Sequence, residues 1–389
     1  MAIARNVAAA LERASWIRRM FEAAISLRAE RGADAVADLS LGNPINDPPA
    51  EFFEGLREEA EAGPTRPHRY MTNAGYPDVR EAVAQHLGGR SGLPYEASDI
   101  CLTVGAAGAL NVILRTLLDP GDEVVLIDPA FVEYPFYVEN FGGHVCRVPT
   151  TPDFFPDVER IADACTANTR AVIINAPNNP TGRIYPERIY QDLGRALAGR
   201  SAALSRPVTL IVDDPYFDLY YTEAPPPEPT KWYDQTIYVT SLSKSAGLAG
   251  ERIGYLAIHP GHADREALSA AMPFAMRSIG QVNAPALLQR LLPRLLMRDT
   301  SDIRAFYGER REKVVASLEA GGFETTPLEG GFYAFPKSPD ADDLVFCRRM
   351  LDRGLVIVPG TAFGSPGHFR LSYAVEMDVL DRGLRMLVE

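Results

Sequence analysis

The sequence predicts an α/β protein with a mainly parallel central sheet sandwiched by helices and a smaller α/β domain built from both termini. Three observations support this prediction. The chain has 389 residues, which is more than one hydrophobic core usually supports. Short β-rich runs alternate with helix-like stretches from about residue 100 to residue 260, and a second set of strand-like runs follows residue 320.

The alternating stretch is typical of βαβ units and of a parallel sheet. Its β-rich runs are EVVLID, HVCRVPT, RAVIINA, PVTLIVD, TIYVTS and GYLAIHP. Two turn signals separate them, DPGD at Asp119–Asp122 and NNPTG at Asn178–Gly182. We expect both turns to follow strand ends, which is where open α/β sheets bind their ligands.

Segments outside these runs predict the rest of the architecture. The leucine spacing of Ala284–Leu318 predicts one or two long helices that lead out of the sheet domain. Residues 223–232, EAPPPEPTKW, cannot form a helix or a central strand because of their prolines, so we expect an exposed loop. The smaller domain should contain strands near GGFYAFP, GLVIVPG and HFRLSYA. An amphipathic helix is expected at Val7–Arg31, with one side formed by Trp16, Ile17, Met20 and Phe21.

Composition excludes several classes of function. A formal charge of −12 and a pI near 5.1 disfavour nucleic acid and anionic membranes as partners and favour small molecules. The four cysteines are widely spaced and form no metal-binding pattern with histidine, so reduced, mostly buried thiols are expected. No apolar run is long enough to cross a bilayer and the first residues do not resemble a signal peptide, so we expect a cytoplasmic protein.

The most informative stretch is SLSKSAGLAGERIGY, Ser241–Tyr255, which follows the predicted strand TIYVTS. A lone lysine would be interpreted as a surface residue, but Lys244 is bracketed by small hydroxyl and glycine residues. Schiff-base chemistry needs an amine that burial and nearby cations make reactive. Ser241, Ser243 and Arg252 could supply hydroxyl and guanidinium donors to a phosphate dianion. The stretch is therefore compatible with a Schiff-base lysine next to donors for a phosphate.

Three further motifs lie near predicted strand ends. In IVDDPYFDL, Asp213 ends a strand and Tyr216 follows it, although an isolated DDPY is also typical of a turn or a helix N-cap. NAPNNPTG, residues 175–182, contains Asn179 and is also compatible with a plain tight turn. In VGAAGALNVIL a strand-like run ends at Gly105, and the helix that follows would offer free backbone N–H groups to a phosphate.

Taken together and in this order, the motifs resemble those of the fold-type I pyridoxal-phosphate enzymes, specifically the class I/II aminotransferases. The lysine stretch matches the family signature at every position, and the resemblance extends from Leu41 to Tyr373. It implies pyridoxal 5'-phosphate as the cofactor, held by Lys244 as a Schiff base. It also implies three parts of the chain: residues 1–45 as an N-terminal helix and segment of the small domain or dimer contact, 46–285 as the large cofactor-binding domain, and 286–389 as the small C-terminal domain.

The resemblance also implies which residues surround the cofactor ring. Asp213 would pair with the pyridinium nitrogen and keep it protonated, so that the ring can act as an electron sink. Asp214 is the rival for this role, but the family places a tyrosine three residues after the functional aspartate, and that tyrosine would be Tyr216, near the ring oxygen. Asn179 would hydrogen-bond the same oxygen. Phe131 in DPAFVEY would stack on the ring, with core packing as the alternative.

Other positions are implied to hold the phosphate and the substrate. The phosphate would be bound by the turn at Gly105, Ala106 and Ala107 together with Ser241, Ser243 and Arg252. Tyr70 in RYMTNAGYPDVREAV resembles a tyrosine that reaches the phosphate of the neighbouring subunit, which implies a homodimer. Arg370 in FRLSYA would hold the substrate α-carboxylate by a bidentate pair. Gly42 and Asn43 in SLGNPI belong to a loop that closes over the substrate, and Asn179 would also contact it.

The implied reaction is transfer of the amino group of an L-amino acid to a 2-oxo acid by a ping-pong mechanism, with Lys244 moving the α-proton. Ala107 replaces the basic residue that some aspartate-type relatives carry, so a dicarboxylate preference is not supported. The alternative within the same fold is another reaction at the amino acid, such as β/γ-elimination or replacement, decarboxylation or oxidation. A DNA-binding regulator with an aminotransferase-like domain is a third alternative, which the acidic charge and the short leading segment disfavour.

Overall fold

A computed structural model describes residues 2–13, 15–63 and 68–389, without the side chains of residues 13–21 and 33. The helices are α1 Arg5–Arg13, α2 Ser15–Arg31, α3 Ala50–Ala62, α4 Pro77–Ser91, α5 Gly105–Leu117, α6 Tyr134–Glu139, α7 Val158–Ala164, α8 Glu187–Leu204, α9 Arg265–Ser278, α10 Ala286–Leu296, α11 Ser301–Ala320, α12 Asp343–Asp352 and α13 Met377–Val388. The strands are β1 Ala37–Asp38, β2 Ile100–Thr103, β3 Glu123–Asp128, β4 His144–Pro149, β5 Thr169–Asn175, β6 Thr209–Asp213, β7 Thr236–Ser241, β8 Gly254–Ile258, β9 Tyr333–Ala334, β10 Leu355–Val356, β11 Val358–Pro359 and β12 Phe369–Ser372.

The central sheet has the strand order β2-β8-β7-β6-β5-β3-β4. Strands β3 to β7 pair in parallel, and β8 runs antiparallel to its neighbours β2 and β7. The inner strands β5 and β6 are rich in valine and isoleucine and are buried along almost their whole length, because helices cover both faces of a parallel sheet. The predicted mainly parallel sheet is confirmed, and the six β-rich runs correspond to β3 to β8.

The carboxyl ends of β5, β6 and β7 bring polar residues together at one edge of this sheet. Asn175 ends β5, Asp213 ends β6 and Ser241 ends β7. Asn175 and Asp213 are direct register partners, so their side chains start from adjacent points. This edge is where ligands bind in open α/β sheets. The NNPTG turn follows β5 as expected, whereas Asp119–Asp122 follows helix α5 and precedes β3, so that part of the expectation is wrong.

A smaller α/β unit contains both ends of the described chain. Strands β11, β12 and β9 form an antiparallel sheet, and the N-terminal β1 pairs in parallel with β10. Ala37 and Leu39 are buried in the same hydrophobic cluster as Leu355, Leu371 and Leu384. This joining of the two termini agrees with the predicted fold class. The boundaries at residues 45 and 285 stay a prediction.

Helices α10 and α11 connect the two units and agree with the expectation for Ala284–Leu318. The N-terminal region forms two helices, α1 and α2, where one helix over Val7–Arg31 was expected. The side chains expected on its apolar side, those of Trp16, Ile17, Met20 and Phe21, lie outside the described ones. Among the helices that are described, none has both the length and the apolar character needed to cross a bilayer.

The exposed loop expected at residues 223–232 is exposed only at residues 223–225 and at Lys231. Glu228, Pro229 and Thr230 are buried, and Pro229–Trp232 forms a 3₁₀ turn. The physical reason is an ion pair: Nε of Arg90 donates to Oε2 of Glu228 at 2.6 Å and draws the segment against helix α4. A proline-rich composition excludes regular structure but does not by itself determine exposure.

Candidate active site

A cavity of about 1130 Å³ opens at the carboxyl edge of the central sheet and is lined by residues of both the sheet and the smaller unit. Most of the residues singled out in the sequence line it, namely Gly42, Ala106, Ala107, Phe131, Asn179, Asp213, Tyr216, Ser241, Ser243, Lys244, Arg252 and Arg370. Motifs that are distant in the sequence therefore converge on one space. Gly105, Asn43 and Tyr70 are not part of its lining.

Lys244 reaches the cavity from the turn that follows β7. Its Nζ donates to the carbonyl oxygen of Gly42 at 2.7 Å. The same nitrogen lies 5.6 Å from the ring centre of Phe332 and 6.0 Å from that of Tyr216. These neighbours are uncharged, so the amine is held by one carbonyl and by aromatic faces. This setting suits an amine that forms a covalent bond with a ligand.

Asp213 has one satisfied and one unsatisfied carboxylate oxygen. Oδ2 accepts a hydrogen bond from the hydroxyl of Tyr134 at 2.5 Å, while Oδ1 is buried and has no partner among the residues that the structure describes. Burial raises the pKa of Asp213 to about 6, although the Tyr134 hydrogen bond and the charge of Lys244 lower it. A buried acceptor without a donor costs about 1–3 kcal/mol. Oδ1 is therefore suited to accept a hydrogen bond from a ligand N–H.

The rival Asp214 points away from this cavity. Its Oδ2 accepts from the hydroxyl of Tyr238 at 3.0 Å, and its side chain lines a separate cavity of about 230 Å³. Burial raises the pKa of Asp214 well above its usual range. The alternation of side chains along a β-strand places consecutive residues on opposite faces, which explains why only Asp213 faces Lys244.

Tyr216 and Tyr333 form the wall beside Lys244. The hydroxyl of Tyr216 donates to that of Tyr333 at 3.3 Å, and burial raises the pKa of Tyr216 well above its ordinary value, so it remains a phenol. A Cβ atom added at Gly42 would lie only 1.6 Å from the hydroxyl oxygen of Tyr333. Glycine at position 42 therefore permits the close approach of this loop to the wall.

Arg370 is a buried cation with neutral partners. Its Nη1 donates to Oδ1 of Asn179 at 3.0 Å, its Nη2 donates to the carbonyl of Ser40 at 2.6 Å, and its Nε has no partner. Its Cζ lies 4.5 Å from the ring centre of Tyr333 and 4.7 Å from that of Phe363. Burial lowers the pKa of Arg370. A buried guanidinium with only neutral partners favours an anionic ligand, and a carboxylate can accept two of its N–H groups at once.

The NNPTG motif serves both as a turn and as a site. Asn178 makes the turn, because its Oδ1 accepts from the backbone N–H of Thr181 at 3.2 Å and from its hydroxyl at 2.8 Å. Asn179 faces the cavity. Its backbone N–H donates to Oδ1 of Asn175 at 2.7 Å, and Nδ2 of Asn175 donates to the carbonyl of Asp213 at 2.7 Å. Asn175 thus couples the turn to the strand that carries Asp213.

Donors for an anion gather at the start of helix α5. Gly105 begins this helix with φ +69°, and a Cβ atom there would lie 2.8 Å from Nη2 of Arg252. Ser241 and Ser243 are buried next to this position, and both line the cavity with Arg252. A helix N-terminus, two hydroxyls and a guanidinium together form a site of the kind that binds phosphate. Gly105 contributes the space that Arg252 occupies.

Phe131 lines the cavity at its aromatic side. It is half-buried, and its ring centre lies 5.4 Å from that of Tyr134 with an interplanar angle of 78°. Phe131 also packs against the hydrophobic core, so the packing interpretation and the ligand-stacking interpretation both agree with its position. Its role as a stacking residue stays a prediction.

The structure adds residues that the sequence did not single out. Tyr134 comes three residues after Phe131 in the first turn of helix α6, and Tyr333 lies in the GGFYAFP run on β9. Arg147 lines the cavity with a side chain that is 42% exposed, and its Nη1 donates to Oδ1 of Asp128 at 2.6 Å. Burial raises the pKa of Asp128 to about 6, and Arg147 lowers it. Asp128 ends β3, whereas Arg147 lies within β4, Tyr333 lies on β9 and Tyr134 begins helix α6, so a position at a strand end could have identified only Asp128.

Comparison with known proteins agrees with this arrangement of an amine, a buried carboxylate and an uncompensated guanidinium. The profile described as aminotransferase class I and II matches residues 34–387. The chain belongs to the class I and II aminotransferases. Members of this family are generally dependent on pyridoxal phosphate, act on amino acids and 2-oxo acids, and are typically dimers.

Individual relatives of this aminotransferase match over most of its length. A probable aspartate/prephenate aminotransferase of Thermus aquaticus is 34% identical over 374 residues, which cover 94% of each chain. The aspartate aminotransferase of Thermotoga maritima is 30% identical over 360 residues, or 91% of each chain. The crystal structure of an aminotransferase from Eubacterium rectale has a TM-score of 0.94 at 31% identity, covering 100% of this chain and 98% of that one. The aspartate aminotransferase of Thermus thermophilus with maleate has a TM-score of 0.85 at 29% identity, covering 96% and 95%.

The predicted function and fold type are therefore confirmed. The protein is a transaminase of fold type I, and it transfers an amino group from an amino acid to a 2-oxo acid. The alternative reactions at the amino acid, such as elimination or decarboxylation, are not favoured.

Proposed function

We propose that this aminotransferase works with pyridoxal 5'-phosphate held covalently by Lys244. The observation that carries the proposal is that the amine of Lys244 and the unpartnered Oδ1 of Asp213 line one cavity. The aldehyde of this cofactor needs a primary amine, and its ring nitrogen needs a carboxylate. The side chains present fit both requirements. A buried acid with a pKa near 6 is ionised at neutral pH and can accept the ring N–H.

The remaining cavity residues fit the other parts of the cofactor. The phosphate would lie at the start of helix α5, where the backbone of Gly105, Ala106 and Ala107 and the side chains of Ser241, Ser243 and Arg252 offer donors. The ring would lie against Phe131. Asn179 would donate to the ring oxygen, and Tyr216 would donate to it by turning its hydroxyl away from Tyr333. Oδ1 of Asn179 accepts from Arg370, which leaves its Nδ2 for this contact.

Arg370 is proposed to hold the α-carboxylate of the substrate. Its uncompensated charge and its free Nε favour a bidentate pair with a carboxylate. Asn179, already bonded to Arg370, would share this contact. Gly42 and Asn43 lie in the loop next to Lys244, and the carbonyl oxygen of Gly42 accepts a hydrogen bond from the amine of Lys244. This loop would cover the substrate and exclude water.

The chemical steps then follow from the positions of these groups. When bound, the cofactor supplies a cationic ring that withdraws the electron pair left at the substrate α-carbon. Asp213 keeps that ring protonated. Nζ of Lys244, freed once the substrate amine takes its place, would act as the base that removes the α-proton and then as the acid that returns it during the transfer. The first 2-oxo acid leaves before the second enters, so the kinetics are ping-pong.

The proposed assembly is a homodimer in which Tyr70 reaches the neighbouring active site. Tyr70 is 91% exposed and is not part of the cavity lining of its own chain. A phenol on the outside of one subunit is free to donate to a phosphate in another. We also propose the division of the chain into residues 1–45, 46–285 and 286–389, and a cytoplasmic location.

The amino donor is proposed to include an acidic amino acid. The relatives from Thermus aquaticus and Thermotoga maritima are named for aspartate. Ala107 offers no charge to a second carboxylate, but Arg147 does, because Asp128 occupies only its Nη1 and its side chain is partly exposed in the cavity. Arg147 would therefore take the side-chain carboxylate.

A donor screen tests this function. The cofactor-loaded protein is mixed with single amino acids and a 2-oxo acid, and transfer is followed by the new amino acid formed. We expect ping-pong transfer from an acidic donor, and Arg147→Met should lower kcat/KM for that donor about 10-fold relative to a neutral donor. No transfer between any pair would contradict the proposed function, whereas equal effects on acidic and neutral donors would contradict only the role of Arg147.

A further inference from the structure

Arg298 is a buried guanidinium that lies behind the turn carrying Lys244. Its side chain is only 4% exposed. Its Nη2 donates to Oγ of Ser245 at 2.6 Å and to Oδ2 of Asp218 at 3.1 Å, and its Nη1 donates to the carbonyl of Leu295 at 2.6 Å. One side chain thus joins its own segment, at the end of helix α10, to two others.

These segments are the ones that build the site. Ser245 directly follows Lys244 in the chain, and Asp218 belongs to the loop that begins with Asp213 and carries Tyr216. Leu295 lies in the last turn of helix α10, the helix that leads from the central sheet to the smaller unit. The contacts of Arg298 therefore fix the lysine turn relative to the aspartate loop.

The geometry points to Arg298 as a positioning residue that holds the amine of Lys244 in its reactive place through Ser245. This inference rests on the proposed role of Lys244. Ser245 is buried, and together with Asp218 and Arg298 it lines the smaller cavity of about 230 Å³, where the guanidinium donates to its hydroxyl. Asp218 forms an ion pair with Arg298, and this pairing offsets the desolvation cost of burying the cation. The planar guanidinium reaches several acceptors from one fixed centre, and a lysine ammonium cannot reproduce this.

The opposite side of the lysine turn is also fixed. Gly247 has φ +64°, and a Cβ atom there would lie 2.5 Å from the carbonyl oxygen of Asn46. Backbone atoms of residue 46 thus block movement on that side, and Arg298 blocks it on the other. Small displacements of a reacting group cost about 100-fold in rate, so a turn held on both sides has a direct consequence for catalysis.

The test compares Arg298→Met with a matched control variant at Arg294, four residues earlier in the chain. Arg294 lies on α10, is more exposed, and pairs with Glu58 at 2.7 Å, far from the lysine turn. For cofactor-loaded Arg298→Met we expect kcat to fall about 10- to 100-fold with KM nearly unchanged. Arg294→Met should match the wild type, and Arg298→Lys should recover only part of the loss. A kcat of Arg298→Met within about 3-fold of the control would overturn the inference.

Two further measurements separate positioning from general loss of structure. Hydrogen exchange of the amides of residues 242–248 should speed up in Arg298→Met and stay unchanged in Arg294→Met, with and without cofactor. The double variant Ser245→Ala/Arg298→Met should lose no more kcat than Arg298→Met alone, since both act through one contact. Unchanged exchange or additive losses would overturn the inference. If the wild type itself transfers no amino group, the proposed function fails instead.

Discussion

The hydroxyl of Tyr134 donates a hydrogen bond of 2.5 Å to Oδ2 of Asp213, and Oδ1 of the same carboxylate remains buried without a partner. One oxygen is thus fixed by the protein and the other is available to a ligand. Burial and the adjacent carboxylate raise the pKa of Tyr134 well above its ordinary value, so it stays a donor at all relevant pH values. The pair supplies an oriented carboxylate within the lysine cavity.

Tyr134→Phe should shift the acid limb of the pH profile to higher pH. The hydrogen bond from Tyr134 lowers the pKa of Asp213, so removing it raises that pKa further above its value of about 6. A hydrogen bond to a charged group is worth about 1.5–3 kcal/mol, which predicts a shift of about one to two pH units. The measurement is kcat/KM against pH for both proteins. An acid limb at the same pH in both would mean that Asp213 does not control it.

Asp213→Asn should abolish transfer and stabilise the cofactor-free protein. Because the folded-state pKa lies above that of an unfolded aspartate, the ionised carboxylate costs stability above pH 6, and this cost disappears as the pH falls toward about 4. A neutral amide removes the cost, so we expect about 1–3 kcal/mol of stabilisation at pH 7.5 and none at pH 4. Urea unfolding at both pH values measures this difference. If Asp213→Asn were less stable than the wild type at pH 7.5, the ionised carboxylate of Asp213 would be stabilising the fold, contrary to this prediction.

Arg370→Met should weaken the binding of substrates that have an α-carboxylate. The loss of a bidentate charged pair predicts a fall in kcat/KM of about 10²–10³-fold, mostly through KM. The matched substrate is the corresponding amine without the carboxylate, whose slow reaction should be unaffected. Steady-state kinetics with the two compounds provide the comparison. An equal loss for the amine would show that Arg370 acts on the cofactor or on the fold.

Gly105→Ala should weaken cofactor binding, and Gly92→Ala is its control. Both glycines have left-handed backbone conformations, with φ +69° and +76°, so alanine costs about 1 kcal/mol of stability at either position. Only at Gly105 would the new Cβ meet a side chain, that of Arg252 at 2.8 Å. Titration with pyridoxal phosphate should give about 10-fold weaker binding for Gly105→Ala alone. Equal affinities in the two variants would argue against a phosphate site at the start of helix α5.

The sequence predicted the parts of the site that follow local rules. Short apolar runs and an asparagine-proline turn, which neighbouring residues encode, placed Lys244, Asp213 and Asn179 near predicted strand ends, and the resemblance to the aminotransferases implied their roles. Contacts between distant segments were not predictable in this way. Tyr134, which follows β3, meets Asp213 at the end of β6 because both strands lie in one sheet, and Arg298, just after helix α10, meets Ser245 in the turn that follows β7.

The same limit explains the errors. Composition excluded a helix or a central strand at residues 223–232, but the stretch around Glu228 is buried because Glu228 pairs with Arg90, a residue on helix α4. Exposure depends on partners distant in the sequence, and a proline count contains no information about them.

Borohydride reduction of the cofactor-loaded protein, followed by peptide mass spectrometry, tests the central proposal most directly. We expect one pyridoxyl phosphate group per chain, on Lys244, and no label there in Lys244→Ala, which should also transfer no amino groups. A label on another lysine, or an unlabelled Lys244 in protein that still catalyses transfer, would contradict the assignment of this amine.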